Sequence, residues 1–213
     1  MKTKSKALLL TLCAVLLVAA SVMGTMAYLT STDKVENTFT VGNVTITLDE
    51  AKVNTDGTPA APAERVKANE YKLLPGHTYT KDPMVTVLNG SEASYIKMTV
   101  TFSKASALDA IFAPTGADLT SIFNGYDSAN WIYKDNTKDA NADTRTYEFW
   151  YKETVGAPTA DVALDALFDS ITVPGTITNE QLATIEGMTI TVNAYAIQAD
   201  GFANAEAAWD AFD

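Results

Sequence analysis

Few residues in this chain have the types and spacing that chemistry requires. The single histidine, His77, sits in Pro75-Gly76-His77-Thr78, where a solvated turn residue is expected, and no HExxH occurs. A zinc centre of the usual histidine-rich kind therefore lacks its ligands. No serine lies in a GxSxG, and the one histidine is the only imidazole that could serve as its base. Acids are abundant, but nothing in their spacing marks two of them as a glycosidase pair. Asp139, Asn141 and Asp143 put oxygens at alternating positions, as the start of a calcium loop does. Thr144, however, stands where the loop's glycine belongs, and Trp150 where its bidentate glutamate belongs. The other reading of that stretch is a solvated hairpin tip. No Gly-rich phosphate loop follows a strand, and there is no basic cluster. The expectation is a protein that is not an enzyme, with no catalytic residues and no cofactor.

Composition narrows the class further. The 213 residues are 47% hydrophobic, enough for a real core, and the formal net charge is −11. Removal of Lys2, Lys4 and Lys6 with an export signal leaves the chain more acidic still, which argues against nucleic acid and anionic membranes as partners. The only cysteine is Cys13, inside an apolar run. A processed chain would have no disulfide, thiolate metal site or cysteine nucleophile, and would be held by its core, its partners or polymerisation.

The elements that position these residues read as β-structure behind a signal peptide. Residues 1–27 have the layout of a secretory signal: a charged start at Lys2, Lys4 and Lys6, an apolar run over residues 7–20, and small residues Thr25 and Ala27 at the positions read by a signal peptidase. Cleavage there makes Tyr28 the first mature residue. The apolar run is short for a bilayer-spanning anchor. Residues 28–213 then form a single domain. Its first segment, about 28–38, is extended in pattern yet poor in large apolar residues, as if completed by something else.

Phe39 and Val41 alternate out of phase with Val44, Ile46 and Leu48, which predicts a bulge or turn at Gly42. Residues 51–69 read as a loop with a turn at Asp56-Gly57, and residues 71–74 as a strand entering the Pro75-Gly76 turn. Residues 79–88 and 95–103 read as a hairpin across a polar connection beginning at Asn89-Gly90. Period then shifts to helix over residues 105–124, with breaks at Pro114 and Gly116. A second hairpin pairs residues 131–134 with 145–153, and one short strand is expected within 164–173. Thr178 and Gln181 form a capping box, residues 188–198 a last strand, and Asn204 caps a closing helix. Many short strands with few helices predict an antiparallel β-sandwich.

Three groups of these residues also resemble a known family. Residues 24–30 (Gly-Thr-Met-Ala-Tyr-Leu-Thr) with residues 37–44 (Asn-Thr-Phe-Thr-Val-Gly-Asn-Val) look like the export and N-terminal signature of the TasA/camelysin (CalY) proteins. Residues 74–82 (Leu-Pro-Gly-His-Thr-Tyr-Thr-Lys-Asp), 87–91 and 95–97 resemble that family's Pro-Gly…Lys-Asp…Asn-Gly strand region, and residues 192–199 the closing strand of its SipW-associated relatives. The resemblance implies an all-β, jelly-roll-like antiparallel sandwich with a few short helices. It also implies secretion through a SipW-type signal peptidase to the cell surface or extracellular matrix, where such proteins form biofilm matrix fibres. In those fibres the residues after the cleavage site, here Tyr28, Leu29, Thr30, Ser31, Thr32, Asp33, Lys34, Val35 and Glu36, act as a donor strand for the next subunit. The partners implied are the chain itself, head to tail, the signal peptidase and other matrix proteins. Peptidase activity ascribed to part of the family does not carry over to a chain with one histidine and no HExxH. The alternative function is a monomeric secreted adhesin or carbohydrate-binding sandwich using the aromatic strand at residues 147–151.

Overall fold

Alternation over residues 94–103 produces the strand on which the larger sheet is built. The computed structural model describes residues 6, 10–18, 42–112 and 122–212. The chain divides into two units, Met1–Val41 and Gly42–Asp213. In the first, residues 10–18 are helical and carry exposed leucines and valines. Among the described residues, no helix is long and apolar enough to cross a membrane. The cleavage residues Thr25, Ala27 and Tyr28 and the donor-strand residues 28–36 lie outside the described residues. So do Phe39 and Val41, the upstream half of the expected bulge at Gly42.

The second unit is mostly antiparallel sheet with a few short helices, an arrangement compatible with a β-sandwich. One sheet has the order β2-β1-β4-β8, made of β1 (Ile46–Ala51), β2 (Arg65–Val66), β4 (Met84–Val87) and β8 (Val162–Ala163). The other has the order β10-β5-β7-β6: β10 (Ile190–Gln198), β5 (Ser94–Ser103), β7 (Thr144–Tyr151) and β6 (Trp131–Asp139). A two-stranded ladder pairs β3 (Thr78–Thr80) with β9 (Ser170–Thr172).

Ile96, Met98, Val100 and Phe102 of β5 are completely buried and meet Val85 and Val87 of β4 in one core. Phe123 is central to it, its ring 4.5 Å from Phe168 and 5.5 Å from Tyr147, with Phe102 and Phe149 close by. Edge-to-face packing of this kind adds to simple burial.

Three expectations are corrected. The segments 79–88 and 95–103 are not a hairpin: β4 pairs with β1 and β8, while β5 pairs with β10 and β7. Both segments bury one face against the same core from different sheets, so their connection crosses between sheets. Alternation specifies which side chains point inward but says nothing about the hydrogen-bonding partner. The stretch 79–88 is also divided, into β3 and β4, around Lys81-Asp82-Pro83; proline has no N–H for a ladder. Finally, residues 71–74 form no strand; the short strand expected within 164–173 is present as β9, with β8 just upstream in another sheet.

Other expectations hold. The Asp56-Gly57 turn forms with Gly57 at φ +84, and a Cβ there would lie 2.7 Å from the Tyr79 backbone. Only glycine suits both constraints. Thr178 Oγ1 accepts from Gln181 N at 3.2 Å and Gln181 Oε1 from Thr178 N at 3.0 Å, closing the capping box on the helix Asn179–Thr184. Asn204 Oδ1 accepts from Ala207 N at 2.9 Å, capping the helix Ala205–Phe212. The helix Ala105–Phe112 is present and buries Leu108 and Phe112.

That helix is held to the β6–β7 hairpin by Asp109, whose carboxylate receives Arg145 Nε at 3.0 Å, Arg145 Nη2 at 2.8 Å and Lys138 Nζ at 2.9 Å. Burial pushes the Asp109 carboxyl up, but these two cations outweigh it and hold it below the usual carboxylate range. A lowered carboxylate pKa contributes stability above the unfolded-state value, and that stability is lost as pH falls through the folded-state value. Asp109→Asn is expected to cost about 1 kcal/mol at neutral pH, with the gap to wild type closing in acid, as read by urea denaturation at the two pH values. Phe123→Ala, which empties the aromatic centre, is expected to cost about 3–5 kcal/mol in the same measurement.

Candidate functional site: an open strand edge and its groove

The two edges of the larger sheet differ in chemistry. β6 carries Lys134, Asp135, Lys138 and Asp139, and its pairing with β7 shifts register between Tyr133 and Asp135. Charge and a bulge are the usual devices that stop an edge from recruiting another strand. β10, Ile-Thr-Val-Asn-Ala-Tyr-Ala-Ile-Gln, has no charged residue, no proline and no register shift over its nine pairs with β5. Its far side has no strand partner among the described residues.

Nor do the other described residues of the unit fill the inward face of β10. Ile190, Val192, Ala194 and Ala196 touch the core but remain only partly buried, whereas their neighbours across the ladder on β5 are completely buried. Alongside runs an open groove of about 1380 Å³. Residues 185–195 line one side; residues 48–50 of β1 and residues 66–73 line the other, with Asn179, Leu182 and Ala183 also contributing. This exceeds the roughly 300–1000 Å³ of ordinary small-molecule pockets and suits an extended peptide.

The facing edge of β1 is likewise mostly open, because β2 covers only Glu50 and Ala51. The carbonyl of Leu48 accepts from Lys67 Nζ instead of from a strand. Deeper in the wall, Lys81 Nζ meets Glu50 Oε2 at 2.5 Å, both residues being more than nine-tenths buried. Asn69 Nδ2 donates to Glu50 Oε1 at 3.0 Å. Tyr71 donates from its hydroxyl to the Thr80 carbonyl at 3.1 Å. Its phenol is pushed well above the usual value, first by burial and then by the Glu50 charge.

The residues singled out from sequence fall elsewhere. His77 is exposed in its turn. Asp139 Oδ1 accepts from Asn141 N and Ala142 N, at 2.8 and 3.0 Å, in the exposed hairpin tip. Asp143 Oδ1 accepts from Ser106 N at 2.9 Å and Ser106 Oγ at 2.8 Å, so it caps the Ala105–Phe112 helix from the hairpin. Those hydrogen bonds lower its pKa. Asp139 and Asp143 are thus engaged in different turns, and among the described residues no group of three or more His, Cys, Asp or Glu is placed to hold a metal ion. On β7, Tyr147 and Phe149 are core, and Trp150 packs beside Trp209 of the closing helix with Lys134 Nζ 3.9 Å over its ring.

Sequence reading missed Lys81, Glu50 and Lys97. Lys97 stands on the outward face of β5, 4.8 Å from the Trp209 ring and 5.4 Å from the Phe212 ring, with Glu148 Oε2 at 3.7 Å. The closing helix therefore covers the outer face of the sheet over a buried cation. Its spacing, Trp209 and Phe212 one turn apart, was visible, but the lysine beneath was not.

No family model, curated protein or solved structure matches this chain. Fold and site together describe an antiparallel β-sheet protein with one blocked and one open sheet edge. In the isolated protein, alternate β10 amides facing away from β5 are expected to exchange with solvent far faster than those bonded to it. Uniform protection along β10 in hydrogen-exchange NMR would mean that the edge is already covered.

Proposed function

We propose that this chain is a secreted structural protein of extracellular or biofilm matrix fibres, assembled by donor-strand complementation in the manner of the TasA/camelysin proteins. Residues 28–36 of one copy, freed at Tyr28 by a SipW-type peptidase, enter the groove of the next copy and add a strand to β10. The observation that carries this is the unblocked edge of β10 above a half-filled apolar row. Backbone hydrogen bonds along such an edge supply affinity, and alternate side chains fill the row. Because donor and acceptor are different surfaces, the contact is head-to-tail and propagates. The two sheets are on this reading a jelly roll completed by a strand from a neighbour.

The adhesin reading finds less support. A glycan platform on β7 would need exposed rings, and Tyr147, Phe149 and Trp150 are buried.

Electron microscopy of the protein beginning at Tyr28, beside a version lacking residues 28–36, tests the proposal. Fibres are expected from the first and monomers from the second. Monomers from both, or fibres from both, would sink it.

A further inference from the structure

The wall of the groove contains an arrangement suited to making a covalent bond. Glu50 offers one carboxylate oxygen to each of two nitrogens, Lys81 Nζ at 2.5 Å and Asn69 Nδ2 at 3.0 Å. The orientation of the Asn69 amide is set by backbone: Nδ2 also donates to Ala51 O at 2.9 Å, and Oδ1 accepts from Val53 N at 3.0 Å. A flipped amide would set donor against donor and acceptor against acceptor. The carbonyl is thus polarised by a fixed N–H, at the distance typical of an oxyanion donor. An amine, a carboxamide and a bridging carboxylate, with Lys81 and Glu50 both withdrawn from water, are the parts needed for transamidation.

We propose that Lys81 and Asn69 form an intramolecular isopeptide bond, with Glu50 as the proton carrier. Within the buried pair, Glu50 takes a proton from the Lys81 ammonium, leaving a neutral amine. Nζ then passes from Oε2 to the amide held at Oε1 of the same carboxylate and attacks Asn69 Cγ. The Val53 N–H holds the developing oxyanion. The Nζ–Cγ bond forms and the Cγ–Nδ2 bond breaks as Glu50 protonates Nδ2. Nζ loses its second proton through the same carboxylate. Lys81 therefore gives up two protons, and the nitrogen of Asn69 departs with both as ammonium, so Glu50 ends as the carboxylate it began as. No oxidant or cofactor is required.

Such a bond would close residues 69–81, which include part of the groove wall, into a covalent loop just before β4. It would serve a chain whose only cysteine is Cys13 and which can form no disulfide of its own. It does not depend on fibre formation, and it can be read on monomer.

The test is tryptic mass mapping of the purified full chain. If the bond forms, the peptide of residues 68–72 stays attached to that of residues 73–97, and the pair is one ammonia lighter than the two peptides summed. Glu50→Gln, which cannot carry the proton, is expected to leave Lys81 free for cleavage and to release residues 68–72, 73–81 and 82–97 as separate peptides of full mass. Separate peptides from the wild type overturn the proposal, and linked peptides from folded Glu50→Gln overturn the role of Glu50. If Glu50→Gln does not fold, Asn69→Asp gives the second arm. Its carboxyl should link with loss of water instead of ammonia, and linkage with loss of ammonia in that variant would exclude position 69.

Discussion

Ile96, Met98, Val100 and Phe102 stand on one face of β5 with no access to solvent, and nearly everything else in the Gly42–Asp213 unit is arranged to keep them so. β7 and β10 flank the strand, β4 faces it through Val85 and Val87, and Phe123 and Phe168 close the middle. A row of four large apolar side chains is the strongest demand for burial in the unit, since each such side chain gains about 1.5–3 kcal/mol when enclosed. The opposite face of β5 has the converse problem, a lysine at position 97. Trp209 and Phe212 solve it from outside by covering the stem and facing the ammonium with rings, while Glu148 supplies the counter-charge.

Given that centre, the unequal edges follow. β6 ends the sheet on one side with alternating charges and a bulge, and no further strand is invited. β10 ends it on the other side with none of these. Its inward residues are those of an interior strand, with the polarity and regularity of one, yet among the described residues β5 is its only strand neighbour. An edge of this composition is an aggregation hazard unless something occupies it. A lysine on the Leu48 carbonyl, across the groove, shows how the unit satisfies an open backbone acceptor where a strand is absent.

Much of this was legible in sequence, but unevenly. Elements whose signal is local were readable: the capping box at Thr178 and Gln181, the Asn204 cap, the glycine turn at Gly57, and the β6–β7 hairpin with its tip at residues 139–143. Inward faces were readable too, because the period of a strand fixes them. Pairing was not. Nothing in the alternation of residues 79–88 distinguishes β4 beside β5 from β4 across the core from it, and the polar connection after Asn89 looks the same in both cases. Asp143 shows the limit for single residues. Its spacing with Asp139 and Asn141 suggested a cation, and the folded chain spends it on the N-terminus of a helix some forty residues earlier, a role only tertiary structure can assign. Glu50, Asn69 and Lys81 are likewise unremarkable in sequence, being brought together by the close of β1 against the turn before β4.

The two walls of the groove differ in how they are held. One wall is β10, fixed along its whole length by backbone hydrogen bonds to β5. The other, residues 66–73, has almost no ladder of its own. Its place depends on side chains: Arg65 on Asp49 and Asp82, Lys67 on the Leu48 carbonyl, Asn69 on Glu50, Ala51 and Val53, and Tyr71 on Thr80. The exposed contacts among these are individually weak. The buried contacts between Glu50, Lys81 and Asn69 are the exception and are expensive to disrupt. They make the root of the wall, beside β1 and β4, its most firmly held part. The groove thus has one wall set by a backbone ladder and one set mainly by side-chain contacts, rooted in the buried Glu50–Lys81 pair.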